Sequence, residues 1–187
     1  MALLTNHLAA AGGDGIAITD DHGTLTWAAL DEQVNRLVHA LRARGLAEGD
    51  TIALMAGNQR EAIVVTLACM HGGWLVVPVN WHWVADELRY VLDDADAAAL
   101  FVAAPWAGVA ADALRGADDV GSSVPPLVVC IDEPRVGFES FDALLAEGRA
   151  EDPADQVRGG PMFYTSGTTG FPKGVKGALG QTGGDVA

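Results

Sequence analysis

Positive charge is scarce in this chain: 11 lysines and arginines stand against 25 aspartates and glutamates, for a formal net charge of −14. Nucleic acid and anionic membrane surfaces attract basic proteins, so neither is expected as a partner. Cysteine is nearly absent. Cys69 and Cys130 each sit in an apolar run, with no spacing that suits a metal. They make no disulfide framework, and each reads as a small core side chain in a reducing, cytoplasmic compartment. No long hydrophobic run occurs, because Pro105 and Asp112 interrupt the alanine-rich stretch from Ala97 to Leu114, leaving a poor membrane span. The first residues, Met1 to His7, lack both a basic stretch and a long apolar segment, so a signal peptide is not expected. Two common nucleotide fingerprints are missing as well. There is no Gly-x-Gly-x-x-Gly, and the Gly-x-x-x-x-Gly-Lys-Ser/Thr pattern fails because, counting from Gly167, Pro172 stands where glycine is needed and Gly174 follows Lys173.

What is present is globular. Hydrophobic residues make up 50% and charged residues 19%, enough to bury a core in a modest domain. Leu3 to Ala11 reads as an opening helix stopped by Gly12-Gly13, followed by strands at Ile16–Ile18 and Thr24–Thr26 around an Asp20–Gly23 turn. Thr26 is the expected N-cap of a long helix whose Leu30, Val34, Leu37, Val38 and Leu41 recur on one face until Gly45. Thr51–Met55 reads as a strand, Asn58 as the cap of the next helix, and Trp74–Val79 as a second strand, which is the order of a right-handed βαβ unit. His71, near that helix's C-terminus, suits a charge–dipole contact.

Trp81-His82-Trp83 could form an aromatic binding surface or simply cover the start of the next helix, and the second reading is preferred. That helix is expected from Val84 to Ala95 with Leu88, Val91 and Leu92 inward, and Asp93, Asp94 and Asp96 form a solvated end. A strand at Ala97–Ala103, a helix from Trp106 to Arg115, a polar loop to Pro126, a strand at Leu127–Ile131 and a helix at Phe141–Glu147 follow. Strand and helix alternate, so the class is α/β with largely parallel sheets flanked by helices. The acidic connection from Gly148 to Gly160 is the best internal boundary, dividing an N-terminal α/β subdomain (1–150) from the start of a second (151–187). A strand at Lys176 to Leu179 would have little left to pair with, so the chain is expected to stop within a domain.

The most informative stretch runs from Tyr164 to Val175. Thr165, Ser166, Gly167, Thr168, Thr169, Gly170 and Lys173 combine glycines that turn amide N–H groups toward one point with rotating hydroxyl donors and a mobile positive charge. Such a loop suits a polyphosphate. A flexible linker shares the composition, but Pro172 stiffens this one, and the apolar residues on either side suggest flanking strands.

Thr165-Ser166-Gly167-Thr168-Thr169-Gly170 followed by Pro172-Lys173-Gly174-Val175 resembles the phosphate-loop signature of the adenylate-forming enzymes. That superfamily includes acyl-CoA synthetases, luciferases and amino-acid-adenylating domains. Lys173 to Leu179 looks most like the acyl-CoA synthetase branch, and Gly23–Trp27 leading into Leu30 and Pro78-Val79-Asn80 resemble other segments of the family. The resemblance covers essentially the whole chain but only the N-terminal part of the family's large domain. It implies MgATP, a small-molecule carboxylic acid and coenzyme A as partners. The carboxylate attacks the α-phosphorus to give an acyl-adenylate and pyrophosphate, and coenzyme A thiol then displaces AMP.

On this resemblance, Thr165, Ser166, Gly167, Thr168, Thr169, Gly170 and Lys173 would hold the β- and γ-phosphates. The family's magnesium-holding glutamate, ribose-binding aspartate, most of the acyl pocket and the catalytic lysine of its mobile C-terminal domain find no position in this chain. No catalytic or metal-binding residue is therefore assigned, and the chain alone is expected to be inactive. Two other readings stay open: a nucleotide hydrolase using the glycine-rich loop, and a non-catalytic α/β interaction module that keeps the loop as a relic.

Overall fold

The computed structural model describes residues 4–120, 124–165 and 172–176. Helix α1 (Leu4–Gly12) opens the chain, and a small antiparallel ribbon of β1 (Ile16–Asp20) and β2 (Gly23–Thr26) follows. Thr26 ends the ribbon and starts α2 (Trp27–Ala43), its hydroxyl accepting the Ala29 amide at 3.2 Å as an N-cap should. Leu30, Val34, Leu37, Val38 and Leu41 are all buried, and Gly45 leaves the helix at a φ of 91°, a left-handed turn that favours glycine.

Strands β3 (Thr51–Met55) and β4 (Leu75–Pro78) are joined by α3 (Arg60–Gly72), and α4 (Ala85–Asp94) leads into β5 (Ala97–Val102). A short 3-10 turn at Ala104–Trp106 runs into α5 (Ala107–Val120), followed by β6 (Leu127–Cys130), β7 (Glu139–Ser140), α6 (Phe141–Glu147), β8 (Gly160–Thr165) and β9 (Lys173–Lys176). Among the described residues, seven strands form one sheet in the order β7-β6-β5-β3-β4-β8-β9. Every neighbouring pair is parallel except β8 with β9.

Alternation along the central strands decides which helices cover which face. Ile52 and Leu54 of β3, with Ala99 and Phe101 of β5, pack against α2, α3 and α6. Ala53 and Met55, with Leu100 and Val102, pack against α4 and α5. Both faces are buried, which is why these strands read as continuous apolar runs. Each fully buried large side chain contributes about 1.5–3 kcal/mol, so the fold rests mainly on this double core. Cys69 and Cys130 are free thiols within it, as expected.

Three local expectations need correction. Gln59, not Asn58, precedes α3, and no side chain caps that helix. Helix α5 continues past Arg115 to Val120, since a single glycine such as Gly116 weakens a helix without having to end it. The last described strand is Lys173–Lys176 rather than Lys176–Leu179, and it pairs with β8 directly. Residues 177–179 lie outside the described residues.

The acidic connection between α6 and β8 is strapped to α2 and α3. The Asn35 amide donates to the Ala150 carbonyl at 3.1 Å and to Asp152 at 3.0 Å, and Arg36 donates to the Gly148 carbonyl at 2.9 Å. Further along, the amides of Val157, Gly159 and Gly160 donate to the carbonyls of His71, Met70 and Trp74 at 3.2, 3.0 and 3.1 Å. These bonds lay β8 beside β4.

His71 takes part in this strap differently from expectation. It is buried, with Nε2 3.2 Å from the Thr5 hydroxyl, and burial pushes its pKa down to about 4. The ring is neutral at neutral pH, so no charge meets the helix dipole.

Candidate phosphate-binding hairpin

Strand β8 meets β4 at only two register positions, Leu75↔Gly160 and Val76↔Pro161. From Met162 onward it pairs instead with β9: Met162↔Lys176, Phe163↔Val175, Tyr164↔Gly174 and Thr165↔Lys173. The predicted loop therefore joins the two strands of an antiparallel hairpin, in agreement with the strands expected on either side. Ser166, Gly167, Thr168, Thr169 and Gly170 lie outside the described residues; Thr165 and Lys173 are described, and both are exposed.

Directly opposed residues in a ladder share a face, with Cβ atoms about 4.5–5.5 Å apart. Thr165 and Lys173 form such a pair, so a hydroxyl and an ammonium group stand together at the base of the turn, open to solvent. Phe163 and Val175 continue this face, each 53% exposed. Met162 and Tyr164 lie on the other face, packed into the core under α4. Gly174 makes that packing possible, since a Cβ there would run into the Met162 side chain and lie 3.2 Å from the Tyr164 ring.

Unpaired positive charge is available at the same place, as it also is at Arg42, Arg149 and Arg158 among the described residues. Lys173 and Lys176 are the only lysines in the sequence. Arg36, Arg44, Arg60, Arg89, Arg115 and Arg135 are all neutralised by carboxylates. Among the described residues neither lysine enters an ion pair, so in a strongly acidic chain the hairpin keeps local positive charge for an anion.

Two contacts hold the hairpin to α4. The Tyr164 hydroxyl donates to Asp94 Oδ2 at 2.6 Å, and the Tyr90 hydroxyl donates to the Pro172 carbonyl at 3.0 Å. Burial, with the Asp94 carboxylate alongside, raises both phenol pKa values above the ordinary range, so both remain protonated donors. Sequence reasoning missed Tyr90 and took Asp94 for part of a solvated helix end. Nothing local marks either residue, because their partners lie 82 and 70 positions away.

The Trp81-His82-Trp83 segment divides. Trp83 packs against the core on the α4 side, as the covering reading expects. Trp81 is 44% exposed, stacks on His82 with ring centroids 3.4 Å apart, and lies 5.5 Å from Trp106. Among the described residues no group of three or more histidines, cysteines or carboxylates gathers to hold a metal ion. No helix among them is long and apolar enough to cross a membrane.

The medium/long-chain-fatty-acid–CoA/3-oxocholest-4-en-26-oate–CoA ligase of Mycobacterium marinum is 32% identical over 94% of this chain and 33% of its own length. The fatty acid–[acyl-carrier-protein] ligase ScoC of Streptomyces coeruleorubidus is 34% identical over 85% of this chain and 29% of its own. The chain thus spans about a third of the length of the curated relatives it matches. Among solved structures, the inhibitor-bound N-terminal domain of FACL13 from Mycobacterium tuberculosis superposes with a TM-score of 0.75 at 27% identity, covering 92% of this chain and 42% of that one. The fold is thus shared with the N-terminal domain of a solved relative, and residues 5–178 match the model of the AMP-binding enzyme family, to which this chain belongs.

Proposed function

We propose that this chain supplies the N-terminal, triphosphate-gripping part of an AMP-forming acyl-CoA synthetase of fatty acid metabolism, working in the cytoplasm. The observation that carries the reading is the opposed Thr165–Lys173 pair at the mouth of the hairpin, solvent-facing and without a described carboxylate partner. In the complete enzyme the substrates are ATP, a carboxylic acid and coenzyme A. Magnesium, when bound, shields the charge of the triphosphate.

The residues of this chain bind and orient. Lys173 offers an ammonium group to the β- and γ-phosphates, whose negative charge grows as the bond to the α-phosphorus lengthens. Thr165, Ser166, Thr168 and Thr169 offer hydroxyl donors, and Gly167 and Gly170 let amides approach the same oxygens. On this reading residues 1–150 form the N-terminal α/β subdomain and residues 151–187 begin a second, with the antiparallel β8–β9 hairpin as its first element.

Calorimetry of MgATP on the 187-residue chain and its Lys173→Ala variant tests the proposal. Binding that depends on Lys173 supports it, and absence of binding by the wild type overturns it. ATP–pyrophosphate exchange by the chain alone is expected to be undetectable, since no residue in it is assigned to adenine, ribose or the acid. Release of free phosphate from ATP would instead favour a nucleotide hydrolase.

A further inference from the structure

We infer that Tyr90 is a positioning residue for the hairpin, fixing the peptide from which Lys173 departs; the inference rests on the phosphate-binding reading above. The hairpin is weakly tied to the sheet, with two register positions on β4 and none beyond Pro161. Beyond Pro161 it rests on the core through Met162 and Tyr164, packed under α4, which is firmly seated through buried Leu88, Val91 and Leu92. Tyr90 and Asp94 are four residues apart on that helix and so lie on one face. Each holds one strand of the hairpin: Asp94 accepts the Tyr164 hydroxyl of β8, and Tyr90 donates to the carbonyl of Pro172, the residue just before β9.

The Pro172 carbonyl belongs to the planar peptide that contains the Lys173 amide. Pinning that oxygen, next to a residue whose φ is already locked by its ring, fixes the plane and with it the direction in which the Lys173 side chain departs. The ladder pairs Lys173 with Thr165 opposite, and the Tyr90 bond fixes the end of β9 at which Lys173 begins. The hydroxyl of Tyr90 therefore acts on the anion through Lys173 without touching it.

Tyr90→Phe keeps the packed ring and removes only the hydroxyl. In the unliganded 187-residue chain, amide exchange at residues 173–176 is expected to quicken about tenfold, while exchange within α4 and the thermal midpoint stay near wild type. Affinity for inorganic tripolyphosphate, measured by calorimetry, should fall about 5- to 10-fold, the equivalent of one neutral hydrogen bond. Unchanged exchange at residues 173–176 overturns the inference, whatever the affinity does. Equal loosening of α4 also overturns it, because the hydroxyl would then serve the helix rather than the hairpin. Quicker exchange in a chain whose wild type has no affinity for tripolyphosphate or MgATP leaves the anchor standing but defeats the phosphate reading, and with it the role assigned to Tyr90.

Discussion

The hydroxyl of Thr5 lies 3.2 Å from Nε2 of His71, joining α1 to the last turn of α3 inside the protein. Burial lowers the imidazole pKa from 6.5 to about 4, with Asp152 nearby partly opposing the shift. A histidine with a depressed folded-state pKa binds fewer protons than in the unfolded chain. Its stabilising effect is therefore complete above pH 6.5 and is lost as the pH falls toward 4. From pH 7.5 to 5 this one group should cost about 2 kcal/mol of unfolding free energy. Asp31, raised first by burial and also by Asp152, acts in the opposite sense. Urea unfolding at the two pH values should show the loss in wild type, and His71→Gln should remove most of it.

Arg60 grips Asp20 through two guanidinium nitrogens, Nε to Oδ2 at 2.7 Å and Nη2 to Oδ1, and also donates to the Gly23 carbonyl. This clamps the β1–β2 ribbon to the start of α3. The arginine hydrogen bond is the largest influence on Asp20 and lowers its pKa to about 2. A carboxylate with a depressed pKa stabilises the fold above its unfolded value of 3.8, and that contribution is lost as the pH falls through about 2. Arg60→Met is expected to return the Asp20 titration midpoint to 3.8 or above, as followed by carboxyl-carbon NMR. An unchanged midpoint would mean that the clamp does not persist in solution.

Gly159 and Gly148 are needed for space rather than for an unusual backbone angle. A Cβ on Gly159 would collide with the carbonyls of Cys69 and Trp74, and one on Gly148 would collide with the Arg36 carbonyl. Backbone cannot swing aside as a flexible side chain can. Gly159→Ala or Gly148→Ala should therefore destabilise the protein by about 3 kcal/mol or more. Gly108, exposed near the start of α5 with no atom within 4 Å of its added Cβ, provides the contrast. Gly108→Ala should be neutral or stabilise by up to about 1 kcal/mol. Denaturant midpoints of the three variants decide the matter.

The elements legible in the sequence were those whose cause is local. Thr26 caps α2 because its own hydroxyl reaches an amide three residues on, and Leu88, Val91 and Leu92 turn inward because a helix repeats every 3.6 residues. The flanking strands of the glycine-rich turn were legible for the same reason. The missed features depend on residues far apart in the chain. Burial keeps His71 neutral where its ring meets Thr5 from 66 positions away, and Tyr90 reaches Pro172 across 82. The acidic stretch after Gly148 reads as a boundary by composition, yet Asn35, Arg36 and Val157 tie it down through contacts that no local pattern announces.

Lys173 and Lys176 separate the local role of an ammonium group from simple net charge. Removing either lysine makes the chain more acidic by one unit, but the ladder places them on opposite faces, Lys173 beside Thr165 and Lys176 opposite Met162. If the hairpin grips a triphosphate, Lys173→Ala should weaken MgATP binding about 10- to 100-fold, the usual range for a lost charge-assisted hydrogen bond. Lys176→Ala should weaken it only a few-fold through long-range attraction, and that smaller effect should fade in about 0.5 M salt as screening shortens to a few ångströms. Lys173→Arg should retain part of the affinity, since it keeps the charge but changes the reach and fork of the donors. Equal, salt-sensitive losses in the two alanine variants would show that the face of the hairpin does not matter, because only a specific contact at Lys173 can set apart two lysines that contribute the same charge.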